Sequence, residues 1–161
     1  MLLMPNWTWK TTINAGDTVV IFDLDGVISD ASHRQHYLRD EHKDWNGFFS
    51  ACIEDPPIIS GVKLINILNE SYRTIILTAR PESVQSETID WLKKHGVVWD
   101  ALIMRSNSDH KQSAKMKLSA LNQILQAGYV PVLVFDDDPK NIAMFLEHQV
   151  PAIPVHSGYY D

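Results

Sequence analysis

Acidic residues follow two apolar segments of this sequence, at spacings that suit the binding of a cation. Asp23 and Asp25 come directly before Gly26, and Asp136 and Asp137 follow a second apolar run. Carboxylates at positions i and i+2 of an extended chain point to the same side, and Gly26 permits a sharp turn after them. If the two runs are neighbouring parallel strands, at least four carboxylates converge. Each close like-charge pair then costs about 4 kcal/mol at an effective dielectric constant near 20.

A divalent cation is the simplest way to compensate such a cluster. Carboxylate and water ligands, with no thiolate cluster available, favour Mg²⁺ over zinc. The alternative for Asp23 and Asp25 is a solvated Asp-Gly turn, which the recurrence of acids after the second run disfavours. Asp138 needs no such role, because it precedes Pro139 as a helix cap does.

Residues that could donate hydrogen bonds to an anion follow a third apolar run and lie around the start of a predicted helix. Thr78 and Arg80 supply a hydroxyl group and a planar bidentate donor, which suit the oxygens of a phosphate group. A further cation is expected from a group of four basic residues. Lys117 is favoured among them because it shares a helix face with apolar residues, whereas Lys115 is expected to face water. The four candidates are Arg105, Lys111, Lys115 and Lys117.

The apolar runs themselves predict a parallel sheet. Three are short, rich in β-branched residues and nearly continuous, as expected of strands that are buried on both faces. Two weaker runs would complete a sheet of five strands. The predicted strands are 18–22, 74–77, 101–104, 130–135 and 152–155.

Helical patterns alternate with these strands. One is predicted over 81–96, with Val84, Thr88, Trp91 and Leu92 inward. A second covers 113–127 and a third begins at Pro139. The inward residues of the second are Ala114, Leu118, Leu121 and Leu125, and those of the third are Ile142, Phe145 and Leu146. The sequence therefore predicts an α/β protein with a doubly wound parallel sheet.

Residues 27–59 form the exception, because they contain no predicted strand. We interpret them as a small helical insert over the site, within a single domain of residues 1–161. Trp45, Phe48 and Phe49 could stack on a nucleobase, although packing of the insert onto the core is the more common use of such residues. An insert of this size would leave an open cleft that admits large substrates.

Composition excludes several classes of protein. No run approaches the roughly 18 apolar residues of a membrane helix, and no signal peptide is recognised, so we expect a cytoplasmic protein. Cys52 stands alone, which excludes an internal disulfide and is typical of a small buried side chain. The net charge of −6 argues against a protein that grips nucleic acid over its whole surface. No protein partner is indicated.

The order of these motifs resembles the haloacid dehalogenase (HAD) superfamily. That family has an Asp-x-Asp motif after the first strand, a Ser or Thr after the second, then a Lys, and an acid pair after the fourth strand. The likeness covers most of the chain. The resemblance implies that Asp23 attacks phosphorus and that Asp25 acts as general acid and base. It also implies that Thr78 binds the transferring phosphate and that Lys117 stabilises its charge. The Mg²⁺ ligands would be Asp23, Asp136, Asp137 and the backbone carbonyl of Asp25.

Further details resemble the 3′-phosphatase domains of the phage polynucleotide kinase/phosphatase type. Arg34 lies eleven residues after Asp23, and the segment from Thr78 to Arg80 is similar to a Ser-x-Arg motif of that group. The resemblance implies that Arg34, Arg80 and Gly26 contact a phosphorylated nucleotide or nucleic acid end. Ser113 and Asp138 depart from the pattern, and no Walker loop of a kinase occurs in the sequence.

Two other functions remain open from the sequence. A phosphatase of small metabolites such as sugar phosphates would use the same residues. A binding module that keeps the fold without catalysis is also compatible with the pattern, although retention of costly acidic clusters speaks against it.

Overall fold

A six-stranded β-sheet lies at the centre of the computed structural model, which describes residues 4–161. The strand order is β1-β4-β3-β2-β5-β6, and all neighbouring pairs are parallel except β1 with β4. The predicted α/β fold class is confirmed. The strands are β1 (Trp7–Trp9), β2 (Thr18–Phe22), β3 (Arg73–Pro81), β4 (Ala101–Arg105), β5 (Val130–Asp136) and β6 (Ala152–Pro154).

Five α-helices accompany the strands in the described part of the chain. They are α1 (Trp45–Ser50), α2 (Ile59–Asn69), α3 (Gln85–Lys94), α4 (Ser113–Gln126) and α5 (Pro139–Glu147). Short 3₁₀ helices cover Ser32–Leu38, Ala51–Glu54 and Glu82–Val84. The first two of these and α1 lie within the predicted insert.

The sheet is covered on both faces, because side chains of a strand alternate between its two sides. Val19 and Ile21 of β2 pack in the core cluster that includes α4 and α5. Val20 and Phe22 pack in the second cluster, which includes residues of α2 and α3. Both layers bury apolar side chains of the central strands, and this explains why the sequence of these strands is almost continuously apolar.

Strand β1 extends the predicted five-stranded sheet to six. Trp7 pairs with Ile103 and Trp9 with Ala101, in an antiparallel register at the edge. The two indole rings lie 5.3 Å apart on the same side of the strand. A strand of three residues is too short for an alternation pattern to predict it.

The boundaries and faces of several helices differ from prediction. Helix α2 was not predicted, and α3 begins at Gln85, because Pro81 still belongs to β3 and a single 3₁₀ turn intervenes. The side chains of Leu125 and Leu146 are 47% and 54% exposed, although both were expected to face the core. Each residue lies at the border of the buried face of its helix. The periodic pattern of apolar residues does not show how wide that face is.

The positions of Cys52 and Asp138 agree with expectation. Cys52 is buried and packs in the second core cluster. Asp138 caps α5, since its side chain accepts a hydrogen bond from the backbone N–H of Lys140. No helix in residues 4–161 has the length and apolar character needed to cross a membrane. The apolar opening, residues 1–3, lies outside the described part.

Gly61 is the point at which α2 approaches the chain after β2 most closely. A β-carbon at this position would overlap the carbonyl oxygen of Val27 and lie 3.1 Å from the α-carbon of Ile28. Both neighbours are backbone atoms and cannot rotate away. The close packing of α2 against this loop therefore requires glycine.

We expect Gly61→Ala to destabilise the protein by about 1–3 kcal/mol, because α2 must shift away from residues 27–28. Urea denaturation monitored by circular dichroism measures the change. Ser60→Ala is the matched control, since Ser60 is exposed in the same helix. Equal stability of the two variants would contradict this account of the packing.

Candidate active site

The carboxyl ends of three neighbouring strands bring the predicted site residues to one edge of the sheet. Asp23 directly follows β2, Thr78 lies near the end of β3, and Asp136 ends β5. Strand β2 pairs with β3 on one side and with β5 on the other, in parallel register. Ligands of open parallel sheets bind beyond this edge.

Three buried carboxylates form a compact group at this edge. Asp23, Asp136 and Asp137 each offer an oxygen, and these oxygens lie within 4.8 Å of one another. Their side chains come from two strands, and the main-chain hydrogen bond from Asp23 N–H to the carbonyl of Phe135 (2.9 Å) ties the two strand ends together. We refer to Asp23, Asp136 and Asp137 as the acidic triad.

Lys117 is the cation that contacts the triad. Its Nζ lies 2.9 Å from Asp23 Oδ1 and 2.7 Å from Asp136 Oδ2, and the residue is almost fully buried. Burial lowers the pKa of Lys117, but the neighbouring charges of Asp136 and Asp23 outweigh it and raise the pKa above its usual range. The lysine is therefore held in its charged form.

The other three cation candidates point elsewhere. Arg105 donates to the backbone carbonyls of Ala79 and Lys111, so it braces the loop after β4. Lys111 and Lys115 are exposed. The spacing of apolar residues in α4 thus correctly predicted that Lys117 is buried and that Lys115 is exposed.

Asp136 is oriented by two further donors. The backbone N–H of Asp138 lies 2.9 Å from Asp136 Oδ1, and Asn141 Nδ2 lies 3.1 Å from Oδ2. Asn141 also donates to Ser113 Oγ (3.2 Å), which links the starts of α4 and α5. Sequence analysis missed Asn141. The only hint would have been its place on the first turns of the helix that follows the acid pair.

Burial, together with nearby negative charge, raises the pKa of two members of the triad. Burial raises the pKa of Asp23 well above its usual range, and the charge of Asp136 raises it further, against the opposing effect of Lys117. Burial likewise raises the pKa of Asp137, only partly offset by hydrogen bonds with Asp23 and Ser157. Asp137 Oδ2 is buried without a hydrogen-bond partner. An unpaired buried oxygen among three carboxylates and a single ammonium group suits the binding of a divalent cation.

Gly26 lets the chain turn tightly beside this group. Its φ of +83° lies in the left-handed region that favours glycine. A β-carbon here would overlap Asp137 Oδ2 and lie 2.9 Å from the Cβ of Ser157. Glycine is thus needed at position 26 so that the backbone can lie close to the Asp137 carboxylate. The sequence predicted the turn at this position but not this contact.

Asp25 lies in a different environment, although it is only two residues from Asp23. Its carboxylate accepts hydrogen bonds from Arg34 Nη2 (2.6 Å) and Arg80 Nη2 (2.6 Å). Burial raises the pKa of Asp25, but the charges of Arg80 and Arg34 more than compensate, so the pKa is lowered. Asp25 is held as a carboxylate.

Both arginines are fully buried. Arg34 also donates to the backbone carbonyl of Phe48 (3.2 Å), and Arg80 also donates to Thr88 Oγ1 (3.3 Å). Their contacts are thus with the protein, and direct binding of a phosphate by either one stays a prediction. Thr78 is buried as well, and its Oγ1 accepts from the N–H of Arg80 (3.1 Å).

Asp55 is a second residue that sequence analysis missed. It is buried and lies between the two arginines, with its Oδ2 2.7 Å from Arg34 Nη2 and 3.0 Å from Arg80 Nη2. The signal that could have drawn attention is an acid followed by Pro56-Pro57 inside a stretch of unassigned structure.

The aromatic residues of the insert pack mainly on one another and on Arg34. Phe48 is buried beneath the guanidinium group, with 4.4 Å between Arg34 Cζ and the ring centroid. Trp45 stacks on Phe49 at 5.9 Å and remains 49% exposed. The insert therefore supports the guanidinium group of Arg34 through the ring of Phe48.

Comparison with known proteins agrees with this geometry. A family model described as "Polynucleotide kinase PNKP phosphatase domain" matches residues 17–160. A protein of Autographa californica nuclear polyhedrosis virus, whose name reads bifunctional polynucleotide kinase/RNA ligase, is 24% identical over 137 residues. The match covers 83% of this chain and 18% of the viral protein.

Solved structures show the same fold. A chain in the structure of a Pnkp1/Rnl/Hen1 complex superposes with a TM-score of 0.75 at 21% identity, covering 95% of this chain and 51% of that one. A haloacid dehalogenase-like hydrolase from Streptococcus pneumoniae gives a TM-score of 0.60 at 18% identity, covering 86% and 84%. The chain thus spans about half of the first of these structures and a small part of the viral relative.

The family match extends over nearly the whole sequence and includes the acidic triad, Lys117 and both arginines. The solved structures share the fold of this chain. This chain belongs to the family of the polynucleotide kinase PNKP phosphatase domain, within the haloacid dehalogenase fold.

Proposed function

We propose that this protein is a Mg²⁺-dependent phosphatase that removes phosphate from nucleic acid 3′ ends through an aspartyl-phosphate intermediate. The observation that carries the proposal is the contact of Lys117 with Asp23, inside the acidic triad and beside Asp25. Membership of the PNKP phosphatase family supports the same reaction. A nucleophile, an acid–base group and charge compensation are the parts that phosphoryl transfer requires.

In the first half-reaction, a carboxylate oxygen of Asp23 attacks phosphorus and the bond to the leaving oxygen breaks. Lys117 stabilises negative charge on Asp23 and on the transferring phosphoryl group, at a distance of 2.9 Å from Asp23 Oδ1. Asp25 gives a proton to the leaving oxygen, which departs as an alcohol. Thr78, at the end of β3, is the proposed hydroxyl donor to a phosphate oxygen.

In the second half-reaction, water attacks phosphorus and Asp25 accepts its proton, which regenerates Asp23 and releases phosphate. The carboxylate form of Asp25, held by Arg34 and Arg80, is the form that this step needs. A phosphate dianion bound beside Asp25 raises the pKa of the carboxyl group, because like charges favour the protonated form. The first half-reaction uses that protonated form.

The acidic triad has the properties of a Mg²⁺ site. Three carboxylates face one ammonium group, which leaves an excess of two negative charges when all are ionised. Asp23, Asp136, Asp137 and the backbone carbonyl of Asp25 are the proposed ligands. Bound Mg²⁺ would neutralise charge on the phosphate and screen the triad from its own repulsion.

A phosphatase of small metabolites is the second candidate. The net charge is −6, and both arginines of the site are buried against carboxylates, so neither is free to bind the backbone of a nucleic acid strand. Asp138, which stands where related domains usually have an arginine, adds another negative charge at this edge. These features favour a short substrate over a long polyanion.

A substrate panel tests the proposal. With Mg²⁺, we expect phosphate release from 3′-phosphorylated oligonucleotides at a kcat/KM at least about tenfold above that for mononucleotides, 5′-phosphorylated oligonucleotides and sugar phosphates. Colorimetric detection of phosphate gives the rates. Equal or faster turnover of sugar phosphates would favour the second candidate. Absence of turnover for every phosphomonoester would instead indicate a binding module.

Asp23→Asn tests the nucleophile. The amide has the size of the carboxylate but does not attack phosphorus, so kcat should fall by at least about a thousandfold. Steady-state kinetics with a 3′-phosphorylated oligonucleotide measures the loss. Asp90→Asn is the control, because Asp90 is exposed on α3. Undiminished activity of Asp23→Asn would reject Asp23 as nucleophile.

Asp137→Asn tests the metal site without any assay of activity. Burial, with a smaller contribution from the charge of Asp136, raises the pKa of Asp137, so its charged form is costly in the metal-free protein. Replacement by a neutral amide should stabilise that metal-free form by about 1–3 kcal/mol. The increase in Tm on adding Mg²⁺ should shrink at the same time.

Differential scanning calorimetry in EDTA and in Mg²⁺ measures both effects of Asp137→Asn. Asp90→Asn again serves as the control, with no change expected in either condition. A variant that is less stable in EDTA and shows the same Mg²⁺ shift as wild type would contradict the assignment of Asp137 as a ligand.

A further inference from the structure

The carboxylate of Asp55 is the most densely bonded acid in the described part of the site. Its Oδ1 accepts from Arg34 Nε (2.8 Å) and lies 2.7 Å from His33 Nε2. Its Oδ2 accepts from Arg34 Nη2 (2.7 Å), Arg80 Nη2 (3.0 Å) and Ser29 Oγ (2.6 Å). The mechanism described above assigns Asp55 no part, although it touches both arginines of the site.

The backbone of Asp55 is anchored as firmly as its side chain. The indole Nε1 of Trp91, on α3, donates to its carbonyl oxygen (2.8 Å). Its own N–H donates to the carbonyl of Cys52 (3.2 Å), and Pro56 follows and restricts the backbone further. The carboxylate is therefore presented from a rigid support that joins the insert to the core.

Each arginine bridges two carboxylates with one nitrogen. Arg34 Nη2 lies 2.6 Å from Asp25 Oδ1 and 2.7 Å from Asp55 Oδ2. Arg80 Nη2 lies 2.6 Å and 3.0 Å from the same two atoms. Two buried guanidinium groups are thus balanced by the buried carboxylate of Asp55 and the partly exposed carboxylate of Asp25. Without Asp55, both cations would compete for Asp25 alone and would repel each other at short range.

We propose that Asp55 is a positioning residue that holds Arg34 and Arg80 against Asp25 and thereby aims the Asp25 carboxyl group at the leaving oxygen of the substrate. This inference rests on the proposed phosphatase function. Asp55 does not touch the acidic triad in the described contacts, so its effect is confined to the acid–base half of the site. Loss of Asp55 should impair protonation of the leaving group and leave attack by Asp23 largely intact.

That separation gives a test based on the leaving group. An alkoxide, released from a 3′-phosphorylated oligonucleotide, needs a proton from a well-placed acid, whereas the nitrophenolate of p-nitrophenyl phosphate leaves without one. The parameter kcat/KM reports the steps up to the first irreversible one, which here is the transfer of phosphate to Asp23. A general loss of structure lowers kcat/KM for both substrates equally.

The experiment compares Asp55→Asn with wild type on these two substrates in Mg²⁺. We expect kcat/KM for the oligonucleotide to fall by about 30–100-fold and that for p-nitrophenyl phosphate by less than about fivefold. Adding Arg34→Ala to Asp55→Asn should cause little further loss, because the two residues act as one unit.

Asp100→Asn is the matched control. Asp100 is also a buried aspartate that binds its neighbours, since it accepts from the N–H of Thr74 (2.8 Å) and from Asn69 Nδ2 (2.8 Å). It lies next to the amino end of β4, away from the site edge. It should lower stability without changing the ratio of the two kcat/KM values.

Ser29→Ala keeps the test decisive if Asp55→Asn does not fold. It removes the hydroxyl that contacts both Asp55 Oδ2 (2.6 Å) and Arg80 Nη2 (3.1 Å) and leaves every charge in place. We expect the same selective loss on the oligonucleotide, at about 3–10-fold.

If the folded Asp55→Asn variant loses activity equally on both substrates, or on neither, the role of Asp55 is overturned. Activity of the wild-type protein would still support the phosphatase function in that case. Wild-type protein that hydrolyses neither substrate would overturn the function itself, and the inference with it. A ratio that changes as much in Asp100→Asn as in Asp55→Asn would show a general structural effect and reject the positioning role.

Discussion

The ammonium group of Lys117, held between Asp23 and Asp136, is the contact on which the arrangement of the site depends. Three carboxylates buried within 4.8 Å of one another would repel strongly in a medium of low dielectric constant. Lys117 offsets part of that repulsion, and it reaches the triad only because α4 begins at the same edge of the sheet. The packing of α4 on β3 and β5 therefore has an electrostatic as well as an apolar basis.

The two halves of the site carry different net charge. The acidic triad and Lys117 have an excess of negative charge, whereas Asp25 and Asp55 are balanced by Arg34 and Arg80. As a result, the pKa of Asp23 is raised and that of Asp25 is lowered, although only Leu24 separates them. Environments that push the pKa values of paired carboxyl groups apart are typical of sites that assign them different roles.

The insert, residues 27–59, supplies part of the surroundings of Asp25. It supplies Arg34, Asp55 and the ring of Phe48 that lies under the guanidinium group of Arg34. The contact of Trp91 with the carbonyl of Asp55 fastens this segment to α3. Fixed partners of this kind hold the Asp25 carboxylate in place, which favours catalysis through preorganised charges.

Much of the fold and of the acidic triad could be predicted from the sequence alone. Buried parallel strands leave short apolar runs, and residues after such runs must meet at one edge, so Asp23 and Asp136 were identified by local pattern. Lys117 could be predicted to be buried, unlike Lys115, because the apolar residues of α4 show which face of the helix packs on the sheet. These predictions needed only the pattern of residues close in sequence.

Only the tertiary structure decided what surrounds Asp25. Arg34, Asp55 and Arg80 come from segments that share no periodic pattern, and their contacts join residues 9 to 55 positions apart in the chain. The same holds for β1, whose three residues become a strand only when they meet β4. Burial of a charge is stable only beside its partner, and the identity of that partner depends on how distant segments pack, which no local pattern of residues encodes.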